Sequence, residues 1–128
     1  MIAVLRAASD RLDLDACLQW IPPERLEASW RLGDMRAGRS AKDAGFNVLL
    51  ADAEDRDAAM TEAAATLAIL MPHVQALVRA GVGVAVDVGV YVYDGAPAFL
   101  AVSKVFLARV VESGAQLEFS AYPCSDEE

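Results

Sequence analysis

Four carboxylates, Asp52, Glu54, Asp55 and Asp57, form the cluster in this sequence most capable of binding a metal ion. Several carboxylate oxygens at short spacing suit a hard cation such as Ca²⁺. The segment lacks the Asp-x-Asp-x-Asp-Gly order of an EF-hand loop, however, and it lies between a predicted strand and a predicted helix. Acidic residues also gather at helix N-termini, where the helix dipole favours negative charge. We therefore interpret the cluster as a helix start capped by Asp55 or Asp57, and predict no metal site.

The single histidine and the two cysteines do not form a catalytic set. His73 follows Pro72 in a predicted long helix, and no acidic residue close in sequence could orient it as a general base. Cys17 lies on the apolar side of a predicted helix and Cys124 near the end of the chain, whereas zinc sites need clustered Cys and His ligands. We predict no catalytic residue, no metal and no cofactor, and the isolated cysteines favour a reducing compartment.

A basic segment carries Arg31, Arg36, Arg39 and Lys42, four of the eleven cationic residues. Such a segment could bind phosphate or an acidic partner through charge-assisted hydrogen bonds. Aspartates in and beside the segment dilute its charge. We interpret residues 33–45 as a flexible, solvated loop.

Hydrophobic periodicity predicts the elements that would position these groups. Alternating or short apolar runs predict strands over residues 1–8, 26–32, 46–51, 82–93 and 116–122. Apolar residues at steps of three and four predict helices over residues 13–21, 55–81 and 103–114. Asp13 and Ser103 are the expected caps of the first and third helices. Pro72 is expected to kink or divide the second helix, and Gly81 to end it.

The alternation in three strands predicts which side chains share each face of the sheet. Valine takes every second position from 82 to 92, which predicts a buried face beneath the helices. The inward side chains of the other two strands are then Leu26, Ala28, Trp30, Leu32, Leu117, Phe119 and Ala121. The opposite face is left open and carries Gly83, Ala85, Asp87, Gly89, Tyr91, Tyr93, Glu27, Arg31, Glu118, Ser120 and Tyr122.

The element order β-α-β-β-α-β-α-β predicts an α+β fold. The first six elements match a ferredoxin-like β-α-β-β-α-β core, and the added α-β unit extends it by a parallel strand through a right-handed crossover. The sheet is mixed, with the helices on one face. We predict a single domain over residues 1–124 and a disordered tail over residues 125–128.

Composition restricts the classes of function. The chain has 128 residues, 55% of them hydrophobic, and a formal net charge of −8, which indicates a globular domain and disfavours nucleic-acid binding. No apolar run in the sequence is expected to span a membrane, and the first residues do not resemble a signal peptide. Alanine is common, and nine arginines accompany two lysines, which is typical of GC-rich bacterial genomes. We predict a bacterial cytoplasmic protein.

The sequence also resembles the bacterial domain-of-unknown-function family numbered 4279. The similar features are the Leu12-Asp13 helix start, the Ile21-Pro22 helix end, and a strand closing in a Gly-Asp pair at residues 33 and 34. The C-terminal half is similar at residues 102–103 and 114–115 and in the strand ending at Tyr122. The sequence departs from the family at residues 45–46, where a tryptophan is expected. The resemblance implies no chemistry, because the family's function is unknown.

These features favour a non-catalytic protein-binding domain that uses the open sheet face. By analogy with other small bacterial domains, it would be an immunity-type protein that neutralises a toxin. The expected partner is a basic protein or a second copy of the chain, without nucleic acid or membrane. The candidate binding residues are Asp87, Tyr91, Tyr93, Glu118, Tyr122 and Arg31. The alternative is a small enzyme or ligand-sensing domain in which Asp87 and a tyrosine act in a shallow trough beside the small residues of the strand.

Overall fold

A computed structural model describes residues 1–95 and 99–124, and the predicted tail at 125–128 lies outside the described residues. The strands are β1 (Ile2–Ser9), β2 (Leu26–Trp30), β3 (Met35–Arg36), β4 (Arg39–Ser40), β5 (Ala44–Asp52), β6 (Gly83–Tyr93) and β7 (Gln116–Cys124). The α-helices are α1 (Arg56–Arg79) and α2 (Lys104–Ser113), and short 3-10 helices cover Asp15–Gln19 and Pro23–Arg25. In the segment expected to be a flexible loop, β3 and β4, each two residues long, pair as an antiparallel hairpin.

Five strands form one mixed sheet in the order β2-β5-β1-β6-β7. The pairs β2–β5, β5–β1 and β1–β6 are antiparallel, and β7 pairs in parallel with β6. Both α-helices pack on the face that carries Leu5, Val86 and Val88, where the core lies. The predicted α+β class, with a mixed sheet and helices on one face, is confirmed.

The first predicted helix is wrong, because residues 15–19 form a five-residue 3-10 helix. Asp13 does not cap an α-helix. Its carboxylate accepts a hydrogen bond of 2.9 Å from the amide of Asp15, a local turn that competes with the start of an α-helix. The position of the first helix in a ferredoxin-like core is therefore occupied only by this short segment.

The helix ends follow the predicted capping residues. Asp55 caps α1 by accepting from the amide of Ala58 at 3.3 Å, and Gly81, with φ +85°, follows its last turn. Ser103 caps α2 by accepting from Phe106 at 3.2 Å, and Gly114, with φ +78°, ends it. Each glycine takes a left-handed conformation that disfavours side chains with a Cβ.

Helix α1 is the main core helix. It continues through Pro72 for 24 residues, so of the two expected effects, a kink or a division, the division does not occur. Pro72 is exposed, and nearby Met71 and Val74 are buried against the core. By length and a mean hydropathy of 1.2, α1 could also cross a membrane, which the sequence analysis did not expect. Ten of its residues are buried, and it packs on β5, β6 and α2.

A β-bulge in β2 changes which side chains face the core. Leu26 pairs with Val48, on the helix side of the sheet, but the register then shifts, and Ala28 pairs with Asn47 and Trp30 with Gly45. An extra residue in one strand reverses the face of everything beyond it. Ala28 and Trp30 therefore lie on the side of the sheet opposite the helices, and their predicted inward orientation is wrong.

Strand β7 is a sheet edge. Phe119 pairs with Val88 and so shares the helix-bearing face, as predicted, but it is 55% exposed. Val88, its partner on the central strand β6, is fully buried beneath the helices. The expected burial of Phe119 fails because β7 has a neighbour on one side only.

Candidate binding site on the open sheet face

The open face is the side of the sheet opposite the helices. Strand register assigns to it Ile2, Val4, Arg6, Ala8, Ala28, Trp30, Gly45, Asn47, Leu49, Asp52, Gly83, Ala85, Asp87, Gly89, Tyr91, Tyr93, Gln116, Glu118, Ser120, Tyr122 and Cys124. Five of the six predicted binding residues share this face. The exception is Arg31.

Asp87 is the polar centre of the open face, and its side chain is buried, contrary to prediction. The Arg6 guanidinium lies 3.0 Å from Oδ2 of Asp87, and the Ser120 hydroxyl is 2.9 and 3.1 Å from the two carboxylate oxygens. These partners come from the strands on either side of β6. A buried charge needs such partners, because desolvation without them costs several kcal/mol. The arrangement indicates that Asp87 joins three strands instead of facing a ligand.

The three predicted tyrosines lie towards one end of the open face, and each is a little under half exposed. The rings of Tyr91 and Tyr122 are 6.1 Å apart at a tilt of 44°. Tyr122 also lies against Gly89, where an added Cβ would be 2.6 Å from Tyr122 Cε2. The sequence had suggested that Gly89 helps to form an open trough. Gly89 is instead buried beneath the Tyr122 ring and does not contribute to one.

A trough does occur, but on the other side of Asp87. Its volume is about 330 Å³. The small residues that line it are Ala7, Ala8, Gly83 and Ala85. Trp30 lines it from β2 and Glu118 from β7, at opposite edges of the sheet. The trough exists because small side chains on β1 and β6 lie between larger ones on the outer strands.

Trp30 is the binding-face residue that the sequence analysis missed. Its ring lies over Gly45, where a Cβ would be 2.5 Å from Trp30 Cζ2, and its Nε1 donates to Asp43 at 2.9 Å. The Arg36 guanidinium of the β3–β4 hairpin stacks 3.7 Å from the ring centroid. A glycine opposite a large aromatic is the signal that could have placed Trp30 on this face.

Arg31 does not join the other predicted binding residues. It follows the end of β2, and its guanidinium is 2.6 Å from Asp15 Oδ2, in the segment after β1. The Asp15 hydrogen bond and charge raise the pKa of Arg31. Arg31 lines a separate pocket with Ser9 and Leu12. The β2 bulge and the end of the strand turn it away from the open face.

Tyr91 and Tyr93 line a third pocket, at the end of the sheet. Its water-accessible volume is about 520 Å³, and Asp52, Glu54 and Arg56 line it as well. Asp55, from the same acidic cluster, caps α1. Within residues 1–95 and 99–124, no group of three or more His, Cys, Asp or Glu side chains is arranged to hold a metal ion.

His73 and Cys17 have structural environments. His73 is exposed on α1 and stacks on Trp20, with ring centroids 4.7 Å apart and planes 4° from parallel. Trp20 in turn packs edge-on against Phe46 of the core. Burial is the main cause that raises the pKa of the Cys17 thiol, with a smaller contribution from the charge of Asp13. Cys17 is therefore less reactive than an ordinary thiol.

Comparison of the chain with family models, with curated proteins and with solved structures found no match. The resemblance to the family numbered 4279 therefore stays a prediction.

Proposed function

We propose that this protein is a non-catalytic protein-binding domain and that its partner binds the open face. The observation that carries the proposal is the trough between Trp30 and Glu118, floored by small residues, on a face to which neither α-helix contributes. Tyrosines and a tryptophan around small residues are typical of binding surfaces, because rigid rings bury much area at little cost in entropy. Asp87 has its carboxylate bound by Arg6 and Ser120, which favours binding over catalysis.

The charges of the trough favour a basic partner. Arg6 and Glu118 are the charged residues that line it, and Arg6 is paired with Asp87. Among the described residues, Glu118 makes no ion pair, so its carboxylate is the available charge. The net charge of −8 would also speed the approach of a cationic protein. A lysine or arginine side chain of the partner, laid across the small floor towards Glu118, fits this site.

The more specific form of the proposal is an immunity-type protein of the bacterial cytoplasm. Its partner would be a basic toxin, and blocking the toxin would require only tight binding. The product of the gene next to this one is the first partner to test. Co-expression should protect cells from that product if it is toxic, and purified complex should contain both chains in equal amounts.

The binding face is tested by titration calorimetry with the partner recovered from the native host. Glu118→Lys should weaken binding at least about tenfold, because it reverses the available charge in the trough. Glu24→Lys, which makes the same change at an exposed position outside the trough, is the control. Ala85→Arg should fill the trough and weaken binding, whereas Ala65→Arg on the exposed side of α1 should not.

Two results would contradict the choice of surface. The first is a partner that binds Glu118→Lys, Ala85→Arg, Tyr91→Ala and Tyr93→Ala as tightly as wild type. The second is loss of binding in Arg36→Glu or Arg39→Glu while those four variants still bind, which would assign the site to the β3–β4 hairpin.

A further inference from the structure

The free edge of β7 and the outer side of α2 together leave an apolar surface at one side of the molecule. Phe119, Leu107 and Val111 are 55%, 44% and 72% exposed. Phe119 is on the helix-bearing face of β7, so this surface is distinct from the open face. Large apolar side chains grouped at an unpaired sheet edge are typical of an association site.

Connectivity brings these three side chains together. A right-handed crossover from β6 through α2 to β7 places α2 between α1 and the β7 edge. Phe106 and Val110 are buried towards α1 and the sheet. Leu107 and Val111 each follow one of them, and one step along an α-helix turns a side chain by about 100°. This rotation points Leu107 and Val111 to the side of α2 that lies above Phe119.

We propose that a second copy of this chain binds there, by antiparallel pairing of the two β7 strands around a two-fold axis perpendicular to the sheet. A lone strand from another protein could pair with β7, but it would not cover Leu107 and Val111. A second copy brings its own α2 on the same side of the continuous sheet. Both apolar surfaces are then buried against each other, as an isologous interface requires.

The charges at the edge agree with this arrangement in one register. Glu118 is the only charged residue of β7. Pairing centred on Phe119 places Phe119 opposite its copy and Glu118 opposite Ser120 of the other chain, so the two carboxylates do not face each other. Because the two α2 helices run antiparallel, the Lys104 end of each lies towards the end of the other that carries Glu112.

The oligomeric state tests the proposal, measured by sedimentation equilibrium of the full chain over a range of concentrations. Wild type should be a dimer, and Phe119→Lys or Val111→Lys should raise the dimer dissociation constant by at least about tenfold. Ile69→Lys is the matched control, because Ile69 is 75% exposed on α1 and should leave the dimer unchanged. Thermal melts show whether each variant is folded. If Phe119→Lys does not fold, Val111→Lys by itself is sufficient to test the site.

Disulfide trapping tests the register. In a Cys17→Ala, Cys124→Ser background, Phe119→Cys should cross-link two chains on mild oxidation, since residues at the two-fold axis lie directly opposite each other. Ala121→Cys, two residues along the same edge, should cross-link much less. The proposal fails if wild type is a monomer throughout, if Ala121→Cys cross-links in preference, or if Tyr91→Ala dissociates the dimer and Phe119→Lys does not. The proposed partner site on the open face is independent of these results, because Phe119→Lys leaves that face intact.

Discussion

The ring of Tyr122 on β7 covers the backbone of Gly89 on β6. A Cβ added at Gly89 would lie 2.6 Å from Tyr122 Cε2 and 2.8 Å from Ile2 Cγ2, closer than carbon atoms normally approach. The same relation joins Trp30 and Gly45 at the other end of the open face. In both places an aromatic ring on an outer strand packs over a glycine on the strand beside it, which holds the outer strand in register.

Gly89→Ala should therefore destabilise the fold by about 1–3 kcal/mol, because the new methyl group must displace the Tyr122 ring or Ile2. Gly83→Ala is the control, on the same strand and face, where an added Cβ would make an ordinary contact of 3.4 Å with the Ala8 carbonyl oxygen. Urea unfolding measures both. Equal stability of the two variants would contradict the packing of Tyr122 over Gly89.

Removing Arg6 should destabilise the fold more than neutralising Asp87. Arg6→Met leaves a buried carboxylate with Ser120 as its remaining partner, at an expected cost of about 1–3 kcal/mol. Asp87→Asn leaves the half-exposed Arg6 side chain in contact with water. The double variant should be more stable than Arg6→Met alone, and a double-mutant cycle on unfolding free energies measures the coupling. Additive effects would show that the ion pair contributes nothing.

Val88→Asp should unfold the domain, since Val88 is fully buried between the sheet and the helices and an unpaired charge there costs several kcal/mol. Tyr93→Asp places the same charge on the same strand at a side chain that is 46% exposed, and should leave the fold intact. Circular dichroism melts distinguish the two. A folded Val88→Asp variant would mean that the faces of β6 are assigned the wrong way round.

Asp55 should matter as a helix cap and not as a metal ligand. Asp55→Ala should lower stability by about 1 kcal/mol, because it removes the acceptor for the Ala58 amide. Asp57→Ala, within the first turn, should cost less. Dialysis against a strong chelator should not change the melting temperature of wild type. A fall of several degrees that calcium or zinc restores would instead support a metal site in this cluster.

Cys17 should react slowly with iodoacetamide at pH 8, and its rate should keep rising at more alkaline pH. Its pKa is raised, chiefly by burial, so a smaller fraction is thiolate at a given pH than in an unfolded chain. The same shift means that its contribution to stability is present below the unfolded pKa and is lost as the pH rises through the folded value. Mass spectrometry of alkylated peptides follows Cys17 directly, with the urea-unfolded protein as the reference. A native rate equal to the unfolded rate would contradict the burial of this thiol.

Local sequence patterns determined the elements that depend on near neighbours along the chain. The alternating valines specify β6, and the caps Asp55, Ser103 and Gly114 set helix ends, because these interactions span only two to four residues. The α+β class follows from their order. The same patterns predicted that Asp87, Tyr91, Tyr93, Glu118 and Tyr122 share one face, since alternation within a strand is enough for that.

The tertiary structure decided which strands are neighbours, and therefore what covers each side chain. Asp87 is buried because Arg6 and Ser120 reach it from separate strands, and Phe119 is exposed because β7 has no outer neighbour. A single extra residue in β2 turned Trp30 onto the open face and left Arg31 beside Asp15. Burial and pairing between strands depend on residues far apart in sequence, so no local period could specify them.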